Sequence, residues 1–346
     1  MANLKSQISN NKSQIEFVLG IESSCDETAA AIYCPLKSTF FEKIARQFKT
    51  HSPYGGVVPE LASRCHLETV SELVFAVCSD AGIKLNDIDI VSTTSGPGLA
   101  GALIVGLSYG KALAFSLNKP FVAVNHIEAH IYAACAETDV HYPFLALVVS
   151  GGHTIIADIH DKQNYTILGR TKDDAAGEAF DKGAKILELG YPGGQLIDKI
   201  SKNGNPKAYD FPRAMMQKDS LDFSFSGLKT ALLYFHQKNP DAPVEDVAAS
   251  YQEAIVDALV KKTLRAAKMN RRKTIVIGGG VSANNRLREK FIEKSKDIKV
   301  IFPSFPLCTD NARMIAYRGY ILYKVRGADT LDTDIFPSFN YNKKSV

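Results

Sequence analysis

Two hairpin-like stretches about 130 residues apart restrict the fold of this chain more than any other feature of its sequence. The first is FVLGIESSCDETAAAIYC, residues 17–34, and the second is FLALVVSGGHTIIADIH, residues 144–160. Each places a turn of small and polar residues between two apolar runs, which is the pattern of two strands joined by a turn. Because a similar unit occurs twice, the sequence predicts two related lobes.

Both halves continue with alternating strands and helices. Residues 87–126, DIDIVSTTSGPGLAGALIVGLSYGKALAFSLNKPFVAVNH, predict a strand, a Gly/Pro loop, a helix and a strand. Residues 272–294, RKTIVIGGGVSANNRLREKFIEK, predict a strand, a Gly-rich loop and a helix that starts near Ser282. We therefore expect two α/β lobes, residues 18–141 and 142–309, with polar turns facing each other across a cleft.

The two ends of the chain and its most apolar run complete this organisation. Residues 1–17 lack the features of a secretory signal or a transit peptide and predict a mobile extension. Without export, the six cysteines, none of them in a C-x-x-C pair, are expected to be reduced thiols in the cytoplasm. The last helix, within residues 310–346, is expected to pack back on the first lobe.

The apolar run 98–117 is interrupted by Lys111, which favours a buried helix and no membrane contact.

Positive charge is concentrated in one segment. Lys261–Lys299 contains thirteen Lys/Arg and three Asp/Glu, a local charge of +10, whereas the whole chain carries +4. Such a block can bind a phosphate backbone. The alternative is that these residues form only the solvated faces of two helices, and the sequence leaves both interpretations open.

The stretch VNHIEAH, residues 124–130, has the spacing of a metal site. His126 and His130 are four residues apart, so a helix places both imidazoles on one face. Glu128 would then lie about 160° around the helix from His130, whereas the glutamate of a His-Glu-x-x-His peptidase lies about 60° from its second histidine. The pattern therefore leaves two interpretations open, a metal centre or two hydrogen-bonded core histidines, and as a metal centre it is poorly built for peptide hydrolysis. Asp310 is a candidate third ligand, with helix capping as its alternative role.

Several turns could line the cleft. GIESSCDETAAAIY carries the carboxylates of Asp26 and Glu27, which are the candidate catalytic groups, although neither is a clear general base. Gly151 and Gly152 can present N–H groups to an anion, or can simply form a hairpin turn. IGGGVSANNRLRE resembles a nucleotide-binding turn but matches neither G-x-x-x-x-G-K-[ST] nor G-x-G-x-x-G. Three candidates surround a Pro-Gly-Gly turn: Asp181, Gly194 and Asp198.

Taken together, these motifs resemble the TsaD family and its archaeal and eukaryotic relative, Kae-one. The stretches that carry the resemblance are GIESSCDET, HIEAH, VSGGHT, DDAAGEAFDKGAK, YPGG, DFSFSGLKTA and GGGVSANNRLR. They extend from about Val18 to about Arg326, and SGGHT is more similar to the bacterial and organellar branch. The resemblance implies an actin-like, Hsp70-like (ASKHA) ATPase fold with a nucleotide cleft between two lobes. It also implies a tRNA N6-adenosine threonylcarbamoyltransferase.

The resemblance also implies a site and a set of partners. One divalent metal, expected to be Fe²⁺ with zinc and magnesium as alternatives, would be held by His126, His130 and Asp310. Threonylcarbamoyl-AMP would be the substrate, and tRNA, TsaB, TsaE and TsaC, which makes the adenylate, would be the partners. The implied substrate-binding residues are Val149, Ser150, Gly151, Gly152, His153, Asp181, Gly194, Asp198 and Asn284.

Two other classes of function stay open at this point. A metal-dependent glycoprotease or peptidase would need a glutamate beside the metal, and helix geometry places Glu128 wrongly for that. A small-molecule kinase of the same superfamily would need ATP, magnesium and a catalytic aspartate, and would have no use for HIEAH. Metal analysis and a phosphorylation assay would separate these classes from an acyltransferase.

Overall fold

The computed structural model describes residues 14–217 and 220–338. Most of the predicted mobile extension therefore lies outside the described residues. Its last residues are fixed, because the carboxylate of Asp89 accepts hydrogen bonds from the backbone N–H groups of Glu16 and Phe17. Mobility of the remainder of the extension stays a prediction.

The first sheet has five strands in the order β3-β2-β1-β4-β5. Strands β1 and β2 form the predicted antiparallel hairpin, β3 extends it, and β4 and β5 continue the sheet in parallel. Every residue of β1 and β4 is buried, as expected for strands covered by helices on both sides. The strands are β1 (Val18–Glu22), β2 (Glu27–Cys34), β3 (Thr39–Arg46), β4 (Ile90–Gly96) and β5 (Phe121–Asn125).

The second sheet repeats the arrangement of the first. Its order is β10-β9-β6-β7-β8, with the predicted hairpin β6–β7 in the position of β1–β2 and with β9 and β10 parallel to β6. The repeated order confirms that the two hairpins belong to related lobes. The strands are β6 (Phe144–Val149), β7 (Thr154–Ile159), β8 (Tyr165–Arg170), β9 (Thr274–Gly278) and β10 (Lys299–Ile301).

Ten α-helices surround the two sheets in the part of the chain that the structure describes. They are α1 (Phe48–His51), α2 (Pro59–Asp80), α3 (Ala100–Leu117), α4 (His126–Cys135), α5 (Ala176–Ile186), α6 (Gly193–Ser201), α7 (Ser226–Lys238), α8 (Val244–Met269), α9 (Asn285–Lys294) and α10 (Ala312–Arg326). Helices α2 and α3 cover one face of the first sheet, and α10 covers the other. Although α10 comes from the end of the described chain, it therefore packs on the first lobe.

Helix α4 lies between the two sheets. One side, with Ala129 and Ala133, packs with α10 and the first sheet, whereas Ile127 and Ile131 pack on the second sheet. Nearly every residue of α4 is buried for this reason. Any polar side chain on this helix must therefore find a partner inside the protein.

Helix α3 contains the apolar run that the sequence assigned to a buried helix. By length and composition it could cross a membrane, and one third of it (33%) is buried inside the protein. Its covered side packs against β4 and α2, while Ile104 and Phe115 are exposed on the other side. The helix expected to be buried therefore meets the core with one face, and its other face is exposed.

Candidate metal centre and substrate cleft

The two histidines of HIEAH begin helix α4. The side chain of Asn125 caps the helix by accepting hydrogen bonds from the N–H groups of Ile127 and Glu128. This cap starts the helix at His126, so His126 and His130 lie one turn apart on the same face. Their ring centroids are 4.7 Å apart, and both side chains are buried.

Asp310 completes this pair from a segment 180 residues away in the chain. Its Oδ1 is 3.1 Å from Nε2 of His130 and 3.5 Å from Nε2 of His126. Donor atoms that share one ion at 2.0–2.2 Å in tetrahedral geometry lie about 3.4 Å from each other. Two imidazole nitrogens and one carboxylate oxygen at these separations therefore fit a transition-metal ion.

The alternative role of Asp310 as a helix cap is wrong. The N-cap of α10 is the next residue, Asn311, whose side chain accepts from the N–H of Met314. Asp310 is thus free to turn toward the histidines. Because this carboxylate lies beside two buried imidazoles and has no capping role, it is a stronger candidate for a functional residue than the sequence alone indicated.

Glu22 is a site residue that the sequence analysis missed. Its Oε2 lies 3.1 Å from Nδ1 of His126, and the carboxylate also accepts from Thr94 Oγ1 and from the N–H of Ser24, each at 2.6 Å. This contact engages Nδ1 of His126, so Nε2 is the nitrogen that faces Asp310. The sequence did offer one signal for this role, because Glu22 ends an otherwise apolar strand. A glutamate in such a place is seldom buried without a partner.

The electrostatics of the cluster follow from burial and close charges. Burial disfavours the charged form of His126, but the carboxylates of Glu22 and Asp310 outweigh it and raise the pKa of His126 to about 9. Burial also opposes ionisation of Asp310, yet the nearby histidines hold its pKa well below the ordinary range. His153, from the hairpin of the second lobe, has a pKa lowered to about 4 by burial and by His126 and His130. The second lobe therefore contributes an imidazole next to the cluster.

Glu128 points away from the histidines, as the helix geometry predicted. Its Oε2 accepts hydrogen bonds from Nη2 of Arg318 at 2.7 Å and from Nε at 3.2 Å. Both side chains are buried, so the carboxylate is committed to a structural ion pair. Glu128 cannot serve as the water-activating base of a peptidase in this position.

The Gly-Gly turn of the second hairpin is open to the cleft. Gly151 and Gly152 are exposed, and an added Cβ at either position would meet no atom within 4 Å. Their N–H groups have no hydrogen-bond partner among the residues that the structure describes, whereas Ser150 N–H is bonded to His153 O. Two free backbone donors beside a buried imidazole form a suitable place for an anion.

The other predicted substrate residues are already tied into the second lobe. Asp181 accepts from the N–H of Gly193 at the start of α6, and burial raises the pKa of Asp181. Asp198 binds the N–H and the side chain of Asn285, and Asn284 caps α9. Because Asn284 is the cap, helix α9 starts at Asn285, after a 3-10 helix, and not near Ser282 as predicted. These contacts bring the starts of α6 and α9 together at one edge of the cleft. The backbone of Gly194 donates to Asp181 at this edge, and Val149, at the end of β6, lies against the Gly-rich turn before α9.

The acidic turn of the first lobe faces this edge. The pKa of Tyr191, next to α6, is raised to about 12 by burial and by the charges of Asp26 and Asp181, one from each lobe. Burial, Asp310 and Asp26 raise the pKa of Glu27 to about 9. The raised pKa favours the protonated form of Glu27, which is unsuited to the role of general base.

Comparison with known proteins identifies the family. The family model described as TsaD, tRNA N6-adenosine threonylcarbamoyltransferase, matches residues 38–317. The chain belongs to the TsaD family. It is 52% identical to the tRNA N6-adenosine threonylcarbamoyltransferase of Kosmotoga olearia over 92% of this chain and 97% of that protein. It is 54% identical to the protein of the same name from Syntrophus aciditrophicus over 87% and 91% of the two chains. The predicted transferase class, an acyltransferase that modifies tRNA, is thereby confirmed.

Solved structures of low sequence identity show that this TsaD-family chain has the actin-like ATPase fold. The (R)-2-hydroxyglutaryl-CoA dehydratase component A of Acidaminococcus fermentans aligns with a TM-score of 0.54 at 15% identity, over 89% of this chain and 98% of that one. Full-length HypF, in a phosphate- and nucleotide-bound form, aligns with a TM-score of 0.60 at 13% identity, over 91% of this chain and 47% of that one. The predicted ASKHA fold is confirmed.

One glycine lies where the second sheet meets helix α4 in this TsaD-family chain. A Cβ at Gly278, the last residue of β9, would meet the carbonyl oxygen of His130. Gly278→Ala should therefore push α4 away from the sheet and lower the free energy of unfolding by about 1–3 kcal/mol. Urea denaturation would measure this change. Gly280→Ala is the matched control, because its Cβ would meet nothing within 4 Å, and an equal loss in both variants would contradict the predicted close contact.

Proposed function

We propose that this TsaD-family protein transfers a threonylcarbamoyl group from threonylcarbamoyl-AMP to the N6 amine of the adenosine beside the anticodon. The substrates would be tRNAs that read codons beginning with adenine, and the reaction would take place in the cytoplasm. The observation that supports the site most strongly is the convergence of His126, His130 and Asp310 next to the open Gly-Gly turn.

In this proposal, the three side chains hold one divalent metal. Imidazole nitrogen suits iron and zinc better than magnesium, which prefers oxygen ligands and water, so magnesium is the least favoured ion. Between iron and zinc, Fe²⁺ is the ion that the family resemblance implies. Glu22 orients His126 through its Nδ1. When bound, the metal supplies a Lewis acid for a carbonyl or phosphate oxygen.

The other residues of the cleft bind and orient the adenylate. The substrate is a mixed anhydride with AMP as leaving group, so the protein needs no covalent nucleophile and must chiefly hold the carbonyl and present the tRNA amine. The free N–H groups of Gly151 and Gly152 can donate to the phosphate or the developing oxyanion. Asp181, Gly194, Asp198 and Asn284 border the nucleotide side, where their contacts with α6 and α9 keep the edge rigid.

A reconstituted reaction tests the proposal. The complete mixture contains the purified protein, threonylcarbamoyl-AMP, unmodified tRNA, TsaB and TsaE, and it should yield threonylcarbamoyladenosine in the digested tRNA. A mixture with TsaC in place of added threonylcarbamoyl-AMP should give the same product, because TsaC makes the adenylate. Omitting the protein is the control. Lack of modified nucleoside in the complete mixture would contradict the proposed reaction, and cleavage of peptides by the purified protein would favour the peptidase alternative.

The basic segment provides a surface for the tRNA. Its cations surround a cavity of about 590 Å³ between the ends of α8 and α9. The lining residues are Leu264, Ala267, Lys268, Arg271, Arg272, Lys273, Lys294, Ser295, Lys296, Asp297 and Ile298. Arg272 is held by a two-pronged ion pair with buried Asp158, so it is unsuited to a charge-reversal test. Lys268 and Arg271 are exposed and make no ion pair with a described residue, which leaves them free for phosphates.

Reversing the charge of this surface should weaken tRNA binding. Lys268→Glu with Arg271→Glu is expected to lower affinity and to reduce the slope of log K against log salt by about 2, roughly one per lost phosphate contact. Fluorescence anisotropy with labelled tRNA at several salt concentrations would measure both. The matched control reverses two exposed lysines of the α6 region, Lys199 and Lys202, and the same slope change in both variants would assign the effect to net charge alone.

The exposed apolar side chains of α2 and α3 support a protein partner on the first lobe. The most exposed are Leu67, Phe75, Ile104 and Phe115. Large apolar side chains grouped on two adjacent helices are typical of a protein interface. Because TsaB is a partner implied by the family, we propose that it covers this helix pair, with TsaE joining the complex.

A further inference from the structure

The segment that carries Asp310 is held by an arginine from another helix. Residues 302–311 connect β10 in the second sheet to α10 on the first. Arg288, in α9, donates from Nη2 to the carbonyl oxygen of Pro303 at 2.8 Å and to Sγ of Cys308 at 3.3 Å. Cys308 is buried and precedes Asp310 by two residues. The guanidinium thus contacts both the beginning of the segment and the part next to the carboxylate.

Aromatic side chains of the same segment enclose the guanidinium. Its central carbon lies 4.8 Å from the ring centroid of Phe302 and 4.4 Å from that of Phe305. A planar guanidinium can stack on rings while its N–H groups donate in plane, which a lysine ammonium cannot do. These contacts fix the path of the chain over several residues before Asp310.

Arg288 also reaches the Gly-rich turn on the substrate side. Its Nε donates to the carbonyl oxygen of Ser282 at 2.7 Å. Ser282 belongs to the 3-10 helix Gly280–Ala283, directly before Asn284, the cap of α9. One side chain therefore connects the turn at the nucleotide edge of the cleft with the segment that supplies the third metal donor.

We propose that Arg288 is a positioning residue that holds Asp310 in its metal-binding place and couples that place to the Gly-rich turn. This inference rests on the proposed metal site. Arg288 forms no hydrogen bond with the donor atoms of Asp310, His126 or His130, so it acts through the backbone and the side chains of the segment. Without it, the carboxylate would lose its fixed distance from the histidines, although the bonds of Glu137 to Ser304 would still anchor the beginning of the segment.

Metal affinity separates this role from a general effect on stability. Metal-free Arg288→Met should bind Co²⁺ about tenfold or more weakly than the unchanged protein and should show an altered Co²⁺ absorption spectrum. Arg286→Met is the matched control. Arg286 lies two residues earlier in α9 but forms ion pairs with Glu253 and Glu293, away from the segment. Its removal should lower stability while leaving Co²⁺ affinity and spectrum unchanged.

Each outcome decides the inference. Equal Co²⁺ affinity in the two methionine variants would overturn the positioning role and leave the metal site intact. Co²⁺ binding that is absent, or that survives His130→Ala unchanged, would overturn the metal site and the inference with it. If Arg288→Met does not fold, Arg288→Lys takes its place. A folded lysine variant with the affinity and spectrum of the unchanged protein would reject the role assigned to the planar guanidinium.

Discussion

Asp310→Ala is expected to reduce threonylcarbamoyl transfer by about 100-fold or more and to abolish tight metal binding, since even residues behind the ligands contribute about 10- to 100-fold. The carboxylate is the only oxygen donor in the cluster formed with His126 and His130. Its removal leaves two imidazoles, which do not complete a three-ligand site. The measurements are initial rates of adenosine modification and the metal content of purified protein.

The controls separate metal loss from loss of folding. Asp139→Ala removes an exposed carboxylate whose ion-pair partner at 4.0 Å, His141, is itself exposed, and this variant should retain the full rate. Because Asn311, not Asp310, caps α10, Asp310→Ala should keep the helix and most of the stability of the first lobe. A variant that stays folded, lacks metal and still modifies tRNA at the normal rate would show that the cluster has no part in the reaction.

Arg318→Met is expected to destabilise the protein by about 3–5 kcal/mol, because it leaves the buried carboxylate of Glu128 without a counter-charge. Arg318 is almost completely buried, donates to Glu128 and to the carbonyl oxygen of Lys162, and lies over the ring of Tyr132 at 4.1 Å. It thereby joins α10, α4 and the end of the β7–β8 hairpin. Urea denaturation followed by circular dichroism would measure the loss.

A double substitution tests the cause. Arg318→Met with Glu128→Leu removes both charges and should recover much of the lost stability. If the double variant is as unstable as Arg318→Met alone, the loss comes from packing and not from an unpaired charge. Glu128→Gln should likewise lose stability yet retain substantial transferase activity per folded molecule, because Glu128 lies outside the metal cluster. Loss of transferase activity without loss of stability, together with cleavage of peptides by the unchanged protein, would favour the peptidase interpretation.

The fold and the shared face of His126 and His130 could be predicted because both depend on local patterns. A strand-turn-strand unit with two apolar runs occurs within about 18 residues, and its repetition requires only two such windows. The common face of the two histidines, and the opposite direction of Glu128, follow from the rotation of about 100° per residue in any helix. Membership in the TsaD family was predicted from seven short motifs spread along most of the chain, and the family model matches residues 38–317.

Local patterns failed to predict which helix a side chain caps and which residue a charged side chain pairs with. Asp173 lies three residues before α5, yet its carboxylate accepts hydrogen bonds from the N–H groups of Phe225 and Ser226 at the start of α7, more than 50 residues away. Arg272 was counted among the cations available for tRNA, yet Asp158, 114 residues earlier, holds it. In both cases the partner lies on another helix or strand. Because it is far away in the sequence, no local pattern could have predicted the contact.

The sequence by itself determined the two-lobed α/β fold, the family and the shared face of the two histidines, because strand alternation and helical rotation are properties of adjacent residues. Only the tertiary structure decided that Glu22 stands behind His126, that Asp310 is free of the helix cap, and that Arg288 holds the segment before it. These contacts join residues from different sheets and helices. Their geometry depends on how α4, α9 and α10 pack between the lobes, which no short stretch of the chain encodes.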